Sequence, residues 1–309
     1  MDTSPHKSDF VNVNGVRLHY LDWGGKGPIL LFLPGMGCNA HIFDQFALHF
    51  TEHFHVLALT RRGHGESDHP DIGYDIDTLT EDIRCFLDTL SIDKVILAGH
   101  SMAGVELSHF AAIYPERVLS LVYLDAAFYR NSPEFKTMLE KNPLREIEIP
   151  GQNDDYYSAQ DYFDSITRAY PSMAEIWGNV IEEQGLHEIT IQPDGKVVDR
   201  MSSTIESALN ATLSSYDPED AKIQAPTLSF YAFLDATSFI SQEYMTEAQQ
   251  KQVIDFFETT RRDWIQQSLE QFRRNVPHAK VVEIPHGHHY CFIKNEELVF
   301  SEMRKFLLS

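Results

Sequence analysis

The sequence predicts an α/β fold: a doubly wound, mostly parallel sheet with a helical segment inserted between two of its strands. Three observations carry this. Short apolar runs alternate with helical patterns from Ile29 to Leu124, as expected of parallel strands joined by crossover helices. One such run, Val95 to Ala98, turns abruptly into a helix through Gly99-His100-Ser101-Met102-Ala103-Gly104, with a serine at the tip. From residue 128 to about 222 the alternation stops, and Ala225-Pro226 then opens a further strand, Thr227 to Phe233.

Each element has its own signal. Residues 10–22 form two alternating runs around Asn14-Gly15, a two-residue hairpin signal that places an antiparallel pair at the sheet edge. Ile29 to Leu33 is a continuous apolar run, as in a buried strand, and His55 to Leu59 is another. Leu79 to Leu90 carries apolar residues at 79, 83, 86, 87 and 90, a helical stripe. Val105 to Tyr114 follows the serine as a helix, and Val118 to Leu124 is the next strand. The stretch 128–222 is rich in acids and aromatics and reads as an inserted lid, with most of its aromatics serving as ordinary core. Val253, Phe256, Phe257, Trp264, Leu269 and Phe272 sit near helical spacing, so 242–275 reads as one or two long helices. A last strand, Lys280 to Ile284, and a closing helix from about Glu296 to Leu308 complete the chain.

Composition narrows the function. The 309 residues carry a formal net charge of −21. That argues against nucleic acid and anionic membranes as partners, which need basic patches, and favours neutral or cationic substrates. No stretch reaches the roughly 18 apolar residues of a membrane span. The first nine residues lack the apolar centre of a secretory signal. Cys38, Cys85 and Cys291 are widely spaced and odd in number, which fits a reducing compartment without disulfides or zinc spacing. A cytoplasmic location is expected.

The turn at Ser101 has a steric logic. A serine held in a strained conformation requires small residues two before and two after it, here Gly99 and Ala103, and Gly104 lets the helix pack closely on the strand. Together with Leu33-Pro34-Gly35-Met36-Gly37, Arg62-Gly63-His64-Gly65-Glu66-Ser67, Pro226 to Asp235 and Gly287-His288, the turn resembles the ordered markers of the α/β-hydrolase superfamily, in the branch with a cap after the sixth strand. The resemblance covers nearly the whole chain. It implies a core of residues 1–127 and 223–309 and a helical cap of residues 128–222.

Acyl-transfer chemistry assigns the expected roles. A serine hydroxyl needs an adjacent base, and the base needs an orienting carboxylate. The resemblance implies Ser101 as nucleophile. It implies His288 as base, because the family's histidine usually follows glycine; His286 and His289 stand beside it. It implies Asp235 as acid, after the seventh strand, with Asp125 as rival, because some members take the acid from the loop after the sixth. The backbone N–H groups of Met36 and Met102 are the expected oxyanion donors. Many relatives carry histidine where Pro34 stands, so the bracing of that loop is an open point. Arg62 and Ser67 read as structural, and Cys38 as a small buried hydrophobe.

The expected activity is serine hydrolysis of a small, fairly apolar carboxylic ester or lactone, without cofactor or metal. The three histidines 286, 288 and 289 lack an acidic ligand beside them for a metal site. Serine at position 101 argues against dehalogenase and epoxide hydrolase chemistry, which use aspartate there. Carbon–carbon bond cleavage, thioester hydrolysis or aminopeptidase action through the same triad, or a small-molecule receptor with little turnover, are the alternatives. The long segment 236–278 departs from the shorter connection of many relatives, and is expected to narrow the pocket or to form a homodimer surface.

Overall fold

The Asn14-Gly15 hairpin forms as its sequence dictates. Both residues adopt positive φ, 46° and 78°, the left-handed pair that a twisted two-residue turn requires. It joins β1 (Lys7–Val13) to β2 (Val16–Gly24), in register from Val13↔Val16 to Lys7↔Asp22. This computed structural model describes residues 5–151 and 155–309; residues 1–4, which open the stretch read above for a leader, lie outside it.

Beyond the hairpin come β3 (Ile29–Leu33), β4 (His55–Leu59), β5 (Val95–His100), β6 (Val118–Leu124), β9 (Thr227–Leu234) and β10 (Lys280–Gly287). The sheet order is β1-β2-β4-β3-β5-β6-β9-β10. Pairing is antiparallel as far as β4 and parallel thereafter. Buried on both faces, β5 has no exposed position, which explains why its sequence is continuously apolar rather than alternating.

Helices cover both faces. On one side, α1 (Ile76–Thr89) and α2 (Ala103–Ile113) join α7 (Glu247–Phe256) and α8 (Arg262–Asn275) in a shared core with Phe86, Leu107, Val253 and Phe272. Asp75 caps α1 through the Thr78 amide, and the predicted stripe at 79, 83, 86 and 87 is its buried face. On the other side, Phe43, Phe46 and Phe50 pack with Phe292 of the short α9 (Cys291–Lys294) and with Val299 and Met303 of α10 (Glu296–Leu307).

The segment between β6 and β9 is a mostly helical insertion. It holds α3 (Pro133–Glu140), α4 (Ala159–Ala169), α5 (Asn179–Glu188), a small hairpin of β7 (Ile189–Ile191) and β8 (Val197–Asp199), and α6 (Ser203–Ser215). The hairpin is absent from the sequence expectation, because three-residue strands are too short to show a period. The insertion is fastened to the core at α5. Asn39 Nδ2 donates to Gln184 O (2.9 Å) and to Glu188 Oε1 (2.8 Å), and Gly65 N donates to Glu188 Oε2 (3.1 Å). The rings of His41 and His187 stack with centroids 4.0 Å apart.

Between β9 and β10 the two long helices are separated by a π turn, Phe257–Arg261. Among the described residues no helix is long and apolar enough to cross a membrane. All three cysteines are free thiols.

Candidate active site

The elbow is built by steric necessity. Ser101 sits at φ 55°, a left-handed conformation that costs a non-glycine residue on the order of 1–3 kcal/mol. A Cβ on Gly99 would meet Ala103 Cβ at 3.0 Å and Leu107 Cδ1 at 2.7 Å. A Cβ on Gly104 would fall 2.0 Å from Ala126 O, so only glycine lets α2 approach the end of β6 here. The turn is tied to the sheet by Ser101 N donating to Leu124 O (3.4 Å).

Sheet register decides which acid is level with this serine. In the β5–β6 ladder His100 pairs with Leu124, so Ser101 and Asp125 are neighbours on adjacent strand ends. Asp125 is also left-handed, at φ 49°. Its side chain is 1% exposed. Its Oδ1 accepts from Ala232 N (2.8 Å), and its Oδ2 lies 2.7 Å from His289 Nδ1. The β6–β9 ladder ends at Leu124↔Phe230, so the Ala232 amide, past the last rung, finds the Asp125 carboxylate in place of a β6 carbonyl.

Asp235 lies elsewhere. Tyr231 is level with Asp125, so Asp235 is four residues, roughly 13 Å, farther along the strand direction. There it caps the turn Ala236–Phe239, accepting from Thr237 N (2.9 Å) and Thr237 Oγ1 (2.7 Å). These bonds hold its carboxyl below the usual range. The nearest histidine nitrogen to it is His286 Nδ1, at 3.5 Å, on a side chain 83% exposed. The structure therefore does not join Asp235 to His288.

Nor does it leave His288 a free nitrogen. Its Nδ1 accepts from Tyr290 N (3.0 Å), so Nε2 carries the proton and donates to Ser172 O (3.2 Å) in the insertion. Both ring nitrogens are used. His289, by contrast, spends Nδ1–H on Asp125 and keeps the Nε2 lone pair, on a side chain 31% exposed. The pairing expected of Asp235 and His288 is made by Asp125 and His289. The cause is a bulge in β10. Pro285 pairs with Phe233 but Gly287 pairs with Leu234, so His286, at φ 53°, is an extra residue. One extra residue reverses which of two successive side chains faces the sheet end.

The neighbours of the pair set its protonation. Burial pushes the Asp125 carboxyl up to about 6, opposed by the Ala232 N–H and by the nearby Arg261, His100 and His288 side chains. Burial also lowers His289, as do Arg130, Arg261 and His288. The imidazole at rest is therefore neutral, the state a general base requires. His100 Nε2 donates to His289 O (3.0 Å), which ties the residue before the serine to the base.

The loop expected to supply the second oxyanion donor lies against the elbow. A Cβ on Gly35 would be 3.1 Å from Ser101 Cβ and 2.9 Å from His100 Nδ1. With proline at position 34, the loop is braced by Arg61, whose Nη2 donates to Pro34 O (2.9 Å) and whose Nε donates to the buried Glu106 (2.8 Å). Arg62 is structural as expected, donating twice to Asp82 at 2.6 Å. Ser67 Oγ donates to Thr60 O (2.7 Å). Cys38 is buried 3.4 Å from the Tyr290 hydroxyl, and its thiol is pushed up to about 12 by burial, so it is no nucleophile.

Met36, Gly37 and His289 open onto a cavity of about 500 Å³. Its wall from the insertion is largely apolar, with Phe163, Tyr170 and Trp177 beside Ser172, Gln184 and Glu206, and Phe239 and Arg261 of the long β9–β10 connection also line it.

Among the described residues, two groups outside this site hold metal-type ligand atoms within 4.8 Å of one another: His6, His41 and Asp44, and His19, His41 and Glu66. Their side chains already bond inward. His41 Nδ1 is 3.0 Å from Asp44, and His19 Nδ1 is 2.9 Å from Thr60 Oγ1. They form part of the junction between core and insertion.

The family described as alpha/beta hydrolase fold matches residues 28–169. The chain is 35% identical over 105 residues to a 2-(acetamidomethylene)succinate hydrolase of Mesorhizobium japonicum, covering 34% of this chain and 38% of the relative. It is 34% identical over 116 residues to a non-heme chloroperoxidase of Streptomyces lividans, covering 37% and 42%. These matches span less than half of each relative. The crystal structure of E-2-(acetamidomethylene)succinate hydrolase superposes with a TM-score of 0.76 at 22% identity, over 98% of this chain and 100% of that one. With the strained serine elbow on a mostly parallel eight-stranded sheet, the chain has the α/β-hydrolase fold, and its residues 28–169 match that family.

Proposed function

We propose that this protein is a serine hydrolase in which Ser101, His289 and Asp125 act together on a carboxylic ester or lactone. The carrying observation is the Asp125–His289 pair, held level with Ser101 by the sheet register. His289 Nε2 takes the hydroxyl proton as Ser101 Oγ attacks the carbonyl carbon. Asp125 holds the Nδ1–H tautomer and stabilises the imidazolium. The N–H groups of Met36 and Met102 receive the oxyanion, each donor worth about 3–4 kcal/mol. His289 returns the proton to the departing alkoxide, and water repeats the cycle on the acyl-enzyme. The insertion, residues 128–222, acts as the lid that closes the pocket.

The test is initial rates on a graded panel of p-nitrophenyl esters beside Ser101→Ala. Loss of turnover in the variant supports the reading, and the chain-length optimum sizes the acyl site. Equal rates in both proteins exclude it.

The pH profile is a second test. Activity needs Asp125 ionised and His289 neutral, so the pair must carry no extra proton. As pH falls, the first proton enters the pair where the buried carboxyl titrates, at about 6. The kcat/KM is therefore expected to fall tenfold per pH unit below about 6 and to be flat above it. A profile flat down to pH 4 contradicts this assignment.

A further inference from the structure

The cavity contains one arginine that no other part of the molecule explains. Arg261 closes the π turn Phe257–Arg261 and lines the cavity with His289. Its guanidinium carbon lies 5.2 Å from the centroid of the Phe257 ring. Among the described residues it has no carboxylate within ion-pair distance. The acid whose field reaches it is Asp125, whose two oxygens are already taken by Ala232 N and His289 Nδ1. Glu206, the other fully charged residue of the lining, is exposed to solvent.

We propose that Arg261 recognises a carboxylate on the substrate, so that the molecule cleaved at Ser101 is an anionic ester or lactone. This rests on the hydrolase reading above and names its substrate class.

A half-buried guanidinium on a largely apolar cavity wall, with no carboxylate paired to it, loses hydration that an entering carboxylate returns. Burial already pulls the group down to about 10, which leaves it fully charged at neutral pH. The planar fork of arginine fits a carboxylate with two parallel hydrogen bonds, which a lysine in its place does not reproduce. A phosphate dianion fits less well, because Arg261 is the single lysine or arginine among the described lining residues.

The backbone is shaped for this task. A helix turns about 100° per residue, so removing the extra residue of the π turn rotates Arg261 away from the cavity. Such turns interrupt α-helices frequently at functional sites. The net charge of −21 does not oppose the assignment. Exposed charges are screened beyond about 8–10 Å at physiological salt, whereas a half-buried guanidinium in the cavity wall acts on its ligand at contact.

The experiment compares monomethyl adipate with methyl hexanoate, followed by proton release at pH 8, with Ser101→Ala as blank. The ratio of kcat/KM for the anionic to the neutral ester is expected to fall about 100-fold in Arg261→Met, and Arg261→Lys is expected to recover part of it. The ratio is insensitive to the effect of Arg261 on Asp125, which changes both substrates alike. An unchanged ratio overturns the inference and leaves the hydrolase reading standing. Activity no greater than the blank on both esters counts against the hydrolase reading instead. The anion site is then read without turnover, as the thermal shift given by monomethyl adipate to Ser101→Ala with and without Arg261→Met. A shift kept in the double variant overturns the inference as well.

Discussion

His289→Gln is expected to lower kcat/KM for ester hydrolysis by at least about 10⁴-fold, because a triad without its base retains little beyond oxyanion and binding contributions. Glutamine fills similar space and can still bond to Asp125, so the fold is expected to survive, as circular dichroism checks. The contrast is His288→Gln. That histidine spends one nitrogen on the Tyr290 amide and the other on the Ser172 carbonyl. Losing one neutral hydrogen bond costs about 1 kcal/mol, hence a rate change of about tenfold or less. If the variants behave the other way round, the base is His288 and the resting hydrogen bonds described above are broken during turnover.

The second large effect concerns the acid. Asp125→Asn keeps the acceptor for Ala232 N but removes the charge facing the His289 imidazolium and disturbs its tautomer. A loss of about 10⁴-fold in kcat is expected. Asp235→Ala removes the cap of the turn Ala236–Phe239, a contribution of about 1 kcal/mol to stability, and is expected to leave the rate near wild type. Equal losses from both variants contradict the assignment, since nothing in the structure connects Asp235 to Ser101.

Much of the architecture was legible in the chain. The Asn14-Gly15 hairpin, the buried apolar strands, the stripe of α1 and the elbow at Ser101 each follow from strictly local constraints: turn geometry, burial on two faces, helical period and contact between small residues. The insertion was legible as a break in alternation. What local reading could not reach was anything that depends on register. Asp125 and Asp235 both follow strands, and only the pairing of His100 with Leu124 and of Leu124 with Phe230 shows which of them is level with the serine. His288 and His289 are adjacent, and one bulged residue, His286, decides which of them meets the carboxylate. Pro285, directly before the bulged His286, was the available hint of an irregular strand end.

Arg261 was hidden for a related reason. The apolar stripe from Val253 to Phe272 signals helix, but a π turn leaves no mark in periodicity over five residues. It places a charged side chain inward at a point where an uninterrupted helix places it elsewhere. The β9–β10 connection lines part of the pocket as well as packing against the sheet.

In the proposed mechanism Ser101 is activated by His289, held by Asp125. The most direct measurement is the rate at which a serine-directed fluorophosphonate adds to the protein, read by intact mass with the adduct mapped to a peptide. This mechanism predicts a single adduct on Ser101. It predicts labelling slowed at least about 10³-fold in His289→Gln and nearly unchanged in His288→Gln. Labelling at another residue, or slowed by His288→Gln while intact in His289→Gln, contradicts it.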